Sequence, residues 1–213
     1  DPFDSPRTLA VDPHDPYWSP GWHSDLVNDY TITWGNNAFA HEAATGLDYF
    51  PDGGNGLVFD FPLDLTEPFA LDTLNAEVTN AFYVTNLAHD IFALYGFREF
   101  FNFQTTNITG LGVGGDPVQV RVNDLSEVGN AYFMTLPDGQ ISVMTLGVMD
   151  DEGEITPFAL SNDVIIHEYG HGVFVRMVAG PSNTDVVVYG RQANSYQGRQ
   201  SGGLTEGLAD FYA

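Results

Sequence analysis

The sequence predicts an α+β fold: a strand-rich first part followed by helices that carry the chemistry. Three observations predict it. Short runs of β-branched and aromatic residues, bounded by Gly, Pro and Asp, recur at 30–34, 38–42, 57–61, 118–122, 131–135 and 141–146. Leu74, Val78, Phe82, Leu87, Ile91 and Leu94 recur at helical spacing, as do Val164, Ile165, Val173, Phe174, Met177 and Val178 further on. A chain of 213 residues is long enough to bury one sizeable core, or two lobes of one catalytic unit.

Residues 1–28 are rich in Asp, Pro and Trp without periodicity and read as an irregular arm, leaving 29–213 as the folded part. Asp72 is placed to cap the first long helix. Pro137-Asp138-Gly139 reads as a hairpin turn between the last two strands. Ser161-Asn162-Asp163 offers N-cap side chains for a second helix, and Gly180-Pro181 stops it after about 16 residues. A short strand is expected at 185–190. Leu204, Leu208 and Phe211 mark a third helix.

Inside the second helix stands His167-Glu168-Tyr169-Gly170-His171, which fits H-E-x-x-H. Imidazoles at i and i+4 lie one turn apart on one face, so both reach a single metal ion while Glu168 reaches its water. Gly170 and Gly172 each cost such a helix roughly 1 kcal/mol relative to Ala, which implies a close approach to its backbone there, by a metal cleft or a crossing helix. Catalytic zinc takes about three protein ligands and keeps one open position. The best third ligand is Glu206, which shares a helical face with Asp210 at i and i+4. Asp210 is suited to accept the free ring N–H of a ligand histidine and fix its tautomer. Taken alone, both acids would read as solvated charges on a surface helix. Coupled to the helix-borne motif, they read as part of a metal site. His89, among apolar neighbours, reads as a hydrogen-bonded core histidine, and His14, His23 and His41 as surface or packing residues.

These segments resemble the fungalysin family of thermolysin-like gluzincin metallopeptidases. The stretch from Asn80 to Phe97, with its His89-Asp90 pair and Tyr95-Gly96-Phe97 ending, is similar to that family's long helix. Asn102-Phe103-Gln104, H-E-Y-G-H-G from His167 and G-G-L-T-E-G-L-A-D-F from Gly202 resemble further family stretches, the last two its zinc-binding ones. Gly129-Asn130-Ala131-Tyr132-Phe133 resembles the edge strand that holds substrate backbone. The similarity covers most of 30–213; Leu208 departs from the Trp often found there, and the spacing between His171 and Glu206 is longer than usual.

The resemblance implies a thermolysin-like metallopeptidase fold, with a β-rich N-terminal lobe and active-site helices, 29–213 being the N-terminal portion of a zinc metallopeptidase catalytic domain. It implies a secreted, extracellular endopeptidase made with a pro-segment and acting on polypeptides. Zn²⁺ would be held by His167, His171 and Glu206, with Glu168 as general base, Asp210 behind a histidine, and Asn130 and Ala131 pairing with substrate. The helical pattern from Leu204 to Tyr212 has no Gly stop, and the resembling families place a helical lobe after this point. A C-terminal lobe, absent from this chain, or a second polypeptide is therefore expected to complete the cleft. Two other readings of the same residues stay open: a catalytically silent metal-binding or peptide-binding module, and a metal-dependent hydrolase of other substrates.

Composition narrows the partners. Lys+Arg 6 against Asp+Glu 29 gives a formal net charge of -23, which disfavours nucleic acid and anionic membrane. With Cys 0, there is no disulfide framework, thiolate site or cysteine nucleophile. The excess acid raises the expectation of weak Ca²⁺ sites, the densest cluster being Asp150-Asp151-Glu152 beside Gly153, although a solvated turn is the plainer reading there.

Overall fold

Four strands form a mixed sheet in the order β1 (Ala38–Glu42), β2 (Val118–Val122), β4 (Val143–Leu146), β3 (Ala131–Met134). The computed structural model describes residues 19–98, 101–182 and 196–213. Most of the predicted arm, His14 and the predicted strand at 185–190 lie outside the described residues. β1 with β2 and β2 with β4 run parallel, whereas β3 runs antiparallel to β4, with Ala131 opposite Leu146 and Met134 opposite Val143. Val118, Val120 and Val122 alternate inward along β2 and are fully buried, as are Met144 and Leu146. The hairpin turn forms where expected: Gln140 N donates to Pro137 O at 2.9 Å, and Gly139 takes the left-handed φ of 85°.

Two expected strands are not formed. Around 30–34 there are only isolated bridges, Ile32 to Asp52 and Trp34 to Phe39. At 57–61 the alternation has no strand to pair with; Leu57 turns to φ 50°, Val58 N bonds back to Gly53 O, and Val58 is left exposed. An unexpected hairpin, β5 (Val148–Asp151) with β6 (Glu154–Pro157), follows β4. Its tip is the acidic cluster, where Asp150 Oδ1 accepts from Gly153 N at 2.8 Å. Those carboxylates are exposed, and among the described residues they do not converge as a metal-binding group.

α1 (Leu71–Leu94) packs Val78, Ala81, Phe82 and Ala88 into the core beneath the sheet. Asp72 is not its cap: Ala70 holds that position without a side-chain bond, and Asp72 lies in the first turn, where its charge complements the helix dipole. The apolar stripe expected on α1 is buried only in its first half, since Ile91 and Leu94 are exposed. α2 (Asn162–Ala179) begins and ends as expected, with Ser161 Oγ accepting from Val164 N at 3.4 Å and Gly180 at φ 85°. α3 (Tyr196–Tyr212) crosses α2, and α2 in turn lies against β3 and α1.

Candidate metal centre

The two glycines of the motif mark two close approaches to α2. A Cβ on Gly170 would stand 3.3 Å from Ala209 Cα and 3.4 Å from the Tyr212 ring, so α3 crosses there nearly in backbone contact. A Cβ on Gly172 would stand 2.6 Å from the Phe133 ring and 3.0 Å from Phe103, so the sheet side presses closer still. The expected crossing helix thus accounts for one glycine, and an aromatic wedge from beneath for the other.

The α3 crossing brings Glu206 to the two histidines. His167 Nε2 and His171 Nε2 are 3.0 Å apart, and Glu206 Oε2 lies 3.3 Å from the first and 3.5 Å from the second. On the far side of each ring stands an acceptor: Asp210 Oδ1 is 2.9 Å from His167 Nδ1, and Thr205 Oγ1 is 3.0 Å from His171 Nδ1. A carboxylate only accepts, so Asp210, at the shorter distance, favours a proton on His167 Nδ1, and Thr205 can accept one from His171 Nδ1. With the ring protons on Nδ1, both Nε2 atoms and the Glu206 carboxylate oxygen would face one another as acceptors. That arrangement repels unless a cation joins it. Ligands about 2.0–2.1 Å from a tetrahedral zinc stand about 3.3 Å apart, close to the three separations found. Burial, the larger influence, pushes the His171 pKa down against the pull of Glu206, favouring the neutral imidazole that metal binding requires.

Glu168 occupies the adjoining position, with a carboxylate oxygen within 4.8 Å of the histidine nitrogens. Its Oε2 is buried without a hydrogen-bond partner. Burial first, and the Glu206 charge second, push its pKa up to about 7. It therefore has the proton affinity of a base suited to neutral pH.

These groups form one wall of a cleft of about 880 Å³, whose other lining includes Gly129 to Thr135, Phe158 and Asp163. Asn130 and Ala131 are both at the cleft, as expected, but differ in what they offer. The Asn130 carbonyl already accepts from Gly147 N at 3.2 Å, and its Nδ2 donates to Glu127 Oε2 at 2.9 Å. Antiparallel residues alternate between bonding their partner and facing away, so with Asn130 bonded inward, Ala131 and Phe133 turn their backbone groups to the open edge. Sequence reasoning placed Phe133 on the edge strand without singling it out, and missed Thr205 behind His171. Thr205 adjoins Glu206 in a helix whose next turn supplies Asp210, which was the available signal. The expected packing histidines fit: His89 is fully buried with Nδ1 2.9 Å from Asp90 Oδ1, His41 is buried 2.9 Å from Gln119 Nε2, and half-buried His23 stacks on Phe59.

Two imidazoles and a carboxylate around one point, with another carboxylate in reach and a sheet edge along the cleft, describe a site of the metallopeptidase class. The chain belongs to the fungalysin metallopeptidase family, whose model matches residues 1–213. It is 34% identical over 220 residues to extracellular metalloproteinase MEP of Leptosphaeria maculans. It is 36% identical over 221 residues to extracellular metalloproteinase 2 of Phaeosphaeria nodorum, and 36% over 228 to extracellular metalloproteinase 1 of Trichophyton rubrum. Each match covers 100% of this chain and 33% of the relative. The chain thus spans about a third of the length of the curated relatives it matches. Among the described residues no helix is long and apolar enough to cross a membrane.

Proposed function

We propose that the chain carries the catalytic metal centre of a secreted zinc endopeptidase with a thermolysin-like architecture. The observation that carries this reading is the convergence of His167 Nε2, His171 Nε2 and Glu206 Oε2 at 3.0–3.5 Å, each imidazole backed by an acceptor. These three residues would hold Zn²⁺, with Asp210 and Thr205 fixing the ring tautomers. Bound zinc supplies a Lewis acid and lowers the pKa of water towards about 7. Glu168 takes the proton of the attacking water and delivers it to the leaving amine. Ala131 and Phe133 pair with an extended substrate through their free backbone groups, adding it to β3 as a further strand, while Asn130, its carbonyl already bonded to Gly147, lines the cleft at the start of that strand. The names of the relatives support secretion and polypeptide substrates. Their threefold greater length is consistent with a pro-segment and with a helical lobe covering the exposed apolar residues Ile91, Tyr95, Met177 and Val178. Nothing in the acidic hairpin tip supports the expected calcium.

A digest of casein by the full-length protein, with and without a zinc chelator, tests the reading. Chelator-sensitive cleavage restored by zinc is expected. Metal uptake without cleavage would point to a silent module of the same fold, and cleavage unaffected by chelation would remove zinc from the mechanism.

A further inference from the structure

α2 has two faces with different duties. His167 and His171 look towards the cleft, whereas Tyr169, Gly172, Val173 and Arg176 look into the protein and are buried. Arg176 is 0% exposed, and all three guanidinium nitrogens are engaged. Nε donates to Leu136 O at 3.0 Å, Nη1 to Asn102 O at 3.4 Å and Nη2 to Asp116 Oδ2 at 2.9 Å, with the guanidinium carbon 4.6 Å from the centre of the Phe103 ring. Those partners come from three separate segments: after β3, after α1 and before β2. Asp116 is equally buried and also accepts from Gln104 N at 3.3 Å. Beyond Gln104 the polar contacts continue through His89 to Asp90, whose Oδ2 accepts from Trp22 Nε1 at 2.7 Å.

Net stability is a poor reason to place an ion pair here, since apolar side chains of similar volume commonly stabilise an interior as well or better. Orientation is the better reason. A helix resting on apolar side chains alone can roll about its axis with little change in buried area, but a planar fork bonded to three segments cannot. Arg176 follows His167 by nine residues, roughly half a turn in angular terms, so the fork and that imidazole lie on opposite sides of the axis. With side chains reaching about 6 Å from the axis, a roll of about 10° moves the ligand nitrogen by about 1 Å. A misplacement of about 1 Å is enough to cost on the order of 100-fold in rate.

We propose that Arg176 and Asp116 are a positioning pair that fixes the roll of α2 and so sets where His167, Glu168 and His171 meet Glu206. This rests on the zinc reading above. The test uses the full-length protein with Arg176→Lys, Asp116→Asn and, as a control in the same buried network that leaves α2 untouched, Trp22→Phe. The readouts are zinc affinity by chelator competition, the visible spectrum of the cobalt-substituted protein, and kcat and KM, each beside the melting midpoint. Arg176→Lys and Asp116→Asn should weaken zinc about 10-fold or more, shift the cobalt bands and lower kcat with KM little changed. Trp22→Phe should lower the midpoint while leaving the cobalt spectrum as in wild type. If the single variants do not fold, Arg176→Met with Asp116→Leu removes both charges together and should fold with a shifted spectrum. Wild-type cobalt bands and zinc affinity in any folded variant of the pair would overturn the proposal, as would equal spectral changes in Trp22→Phe. Wild-type protein that takes up neither ion would instead overturn the metal reading and, with it, the pair's role.

Discussion

Two carboxyl groups in this protein share nearly the same local description and differ completely in what surrounds them. Glu77 on α1 is 0% exposed and Glu168 on α2 is 6% exposed; each has one oxygen with no hydrogen-bond partner, and each has its pKa pushed up to about 7. At Glu77 the cause is burial, partly offset by the hydrogen bond that Asn123 Nδ2 donates to its other oxygen. At Glu168 burial is joined by repulsion from Glu206, which α3 brings to the same cleft. Glu77 is enclosed between α1 and the end of β2, whereas Glu168 opens on the cleft beside two imidazoles. A raised pKa therefore marks burial, and only the neighbours tell a base from a buried acid. A cation among His167, His171 and Glu206 would favour the charged form of Glu168 and do nothing for Glu77.

The largest expected effect breaks the comparison at the level of activity. Glu168→Gln should keep the metal and lose turnover by roughly 10²–10⁴-fold, the range of general acid–base catalysis. Glu77→Gln should leave turnover within about a factor of two of wild type, since amide and neutral acid have the same shape and no step uses that group. Zinc content by atomic spectroscopy, measured beside kcat for both variants, decides. Full activity in Glu168→Gln would remove it as the base.

The next effect belongs to Glu77 and is read in stability. Its folded pKa of about 7 stands above the ordinary 4.5, so below pH 4.5 the group is neutral in both states and its stabilisation is fully present. Between pH 4.5 and 7 the unfolded chain ionises first, and stability falls as pH rises. The loss, complete above about pH 7, is on the order of 3 kcal/mol. Glu77→Gln should remove this slope, so its urea-unfolding curve should match wild type near pH 4.5 and lie above it at pH 8. Parallel pH profiles for the two proteins would show that Glu77 ionises freely in the fold.

Sequence reasoning found the local parts of this site and missed those fixed by distant contacts. Ser161, Gly180 and the H-E-x-x-H spacing all act within a few residues of themselves, and each is where the sequence placed it. Glu206 and Asp210 were legible because an i, i+4 carboxylate pair on a helix is itself a local signal. Arg176 and Asp116 are 60 positions apart, and nothing in either residue announces a buried pair. Glu77 is similar, since its burial depends on Asn123 after β2. The misread strand at 57–61 shows the converse: alternation is a property of the segment, but pairing needs a partner, and none lies alongside. The β5–β6 hairpin went unread because its strands are too short and too acidic to look apolar, although the Glu152-Gly153 turn that closes it was in view.

On the cleft side, Asp210 sharpens the comparison because its contact is with His167 Nδ1, so on the proposed reading it would act on the metal rather than on the reacting bond. Its side chain is 74% exposed, so its link to His167 Nδ1 contributes little to stability. Asp210→Ala should nonetheless weaken zinc binding or turnover by about 10 to 100 times, with an unchanged melting midpoint in the metal-free protein. A zinc titration identical to wild type would return Asp210 to the status of a surface charge.

The smallest effect separates burial from charge repulsion. With a net charge of -23, the exposed carboxylates repel one another, and raising NaCl from about 0.05 to 0.5 M shortens the screening length to about 4 Å. The melting midpoint should rise by a few degrees at every pH where those groups are ionised. The Glu77 contribution should not follow, because its raised pKa comes from lost hydration inside the protein, which mobile ions cannot reach. The difference in unfolding free energy between wild type and Glu77→Gln, plotted from pH 4.5 to 8, should therefore be the same curve at both salt concentrations while both absolute stabilities move. A difference curve that collapses in 0.5 M NaCl would mean that the Glu77 pKa is raised by neighbouring charge, and the contrast with Glu168 would then be one of degree.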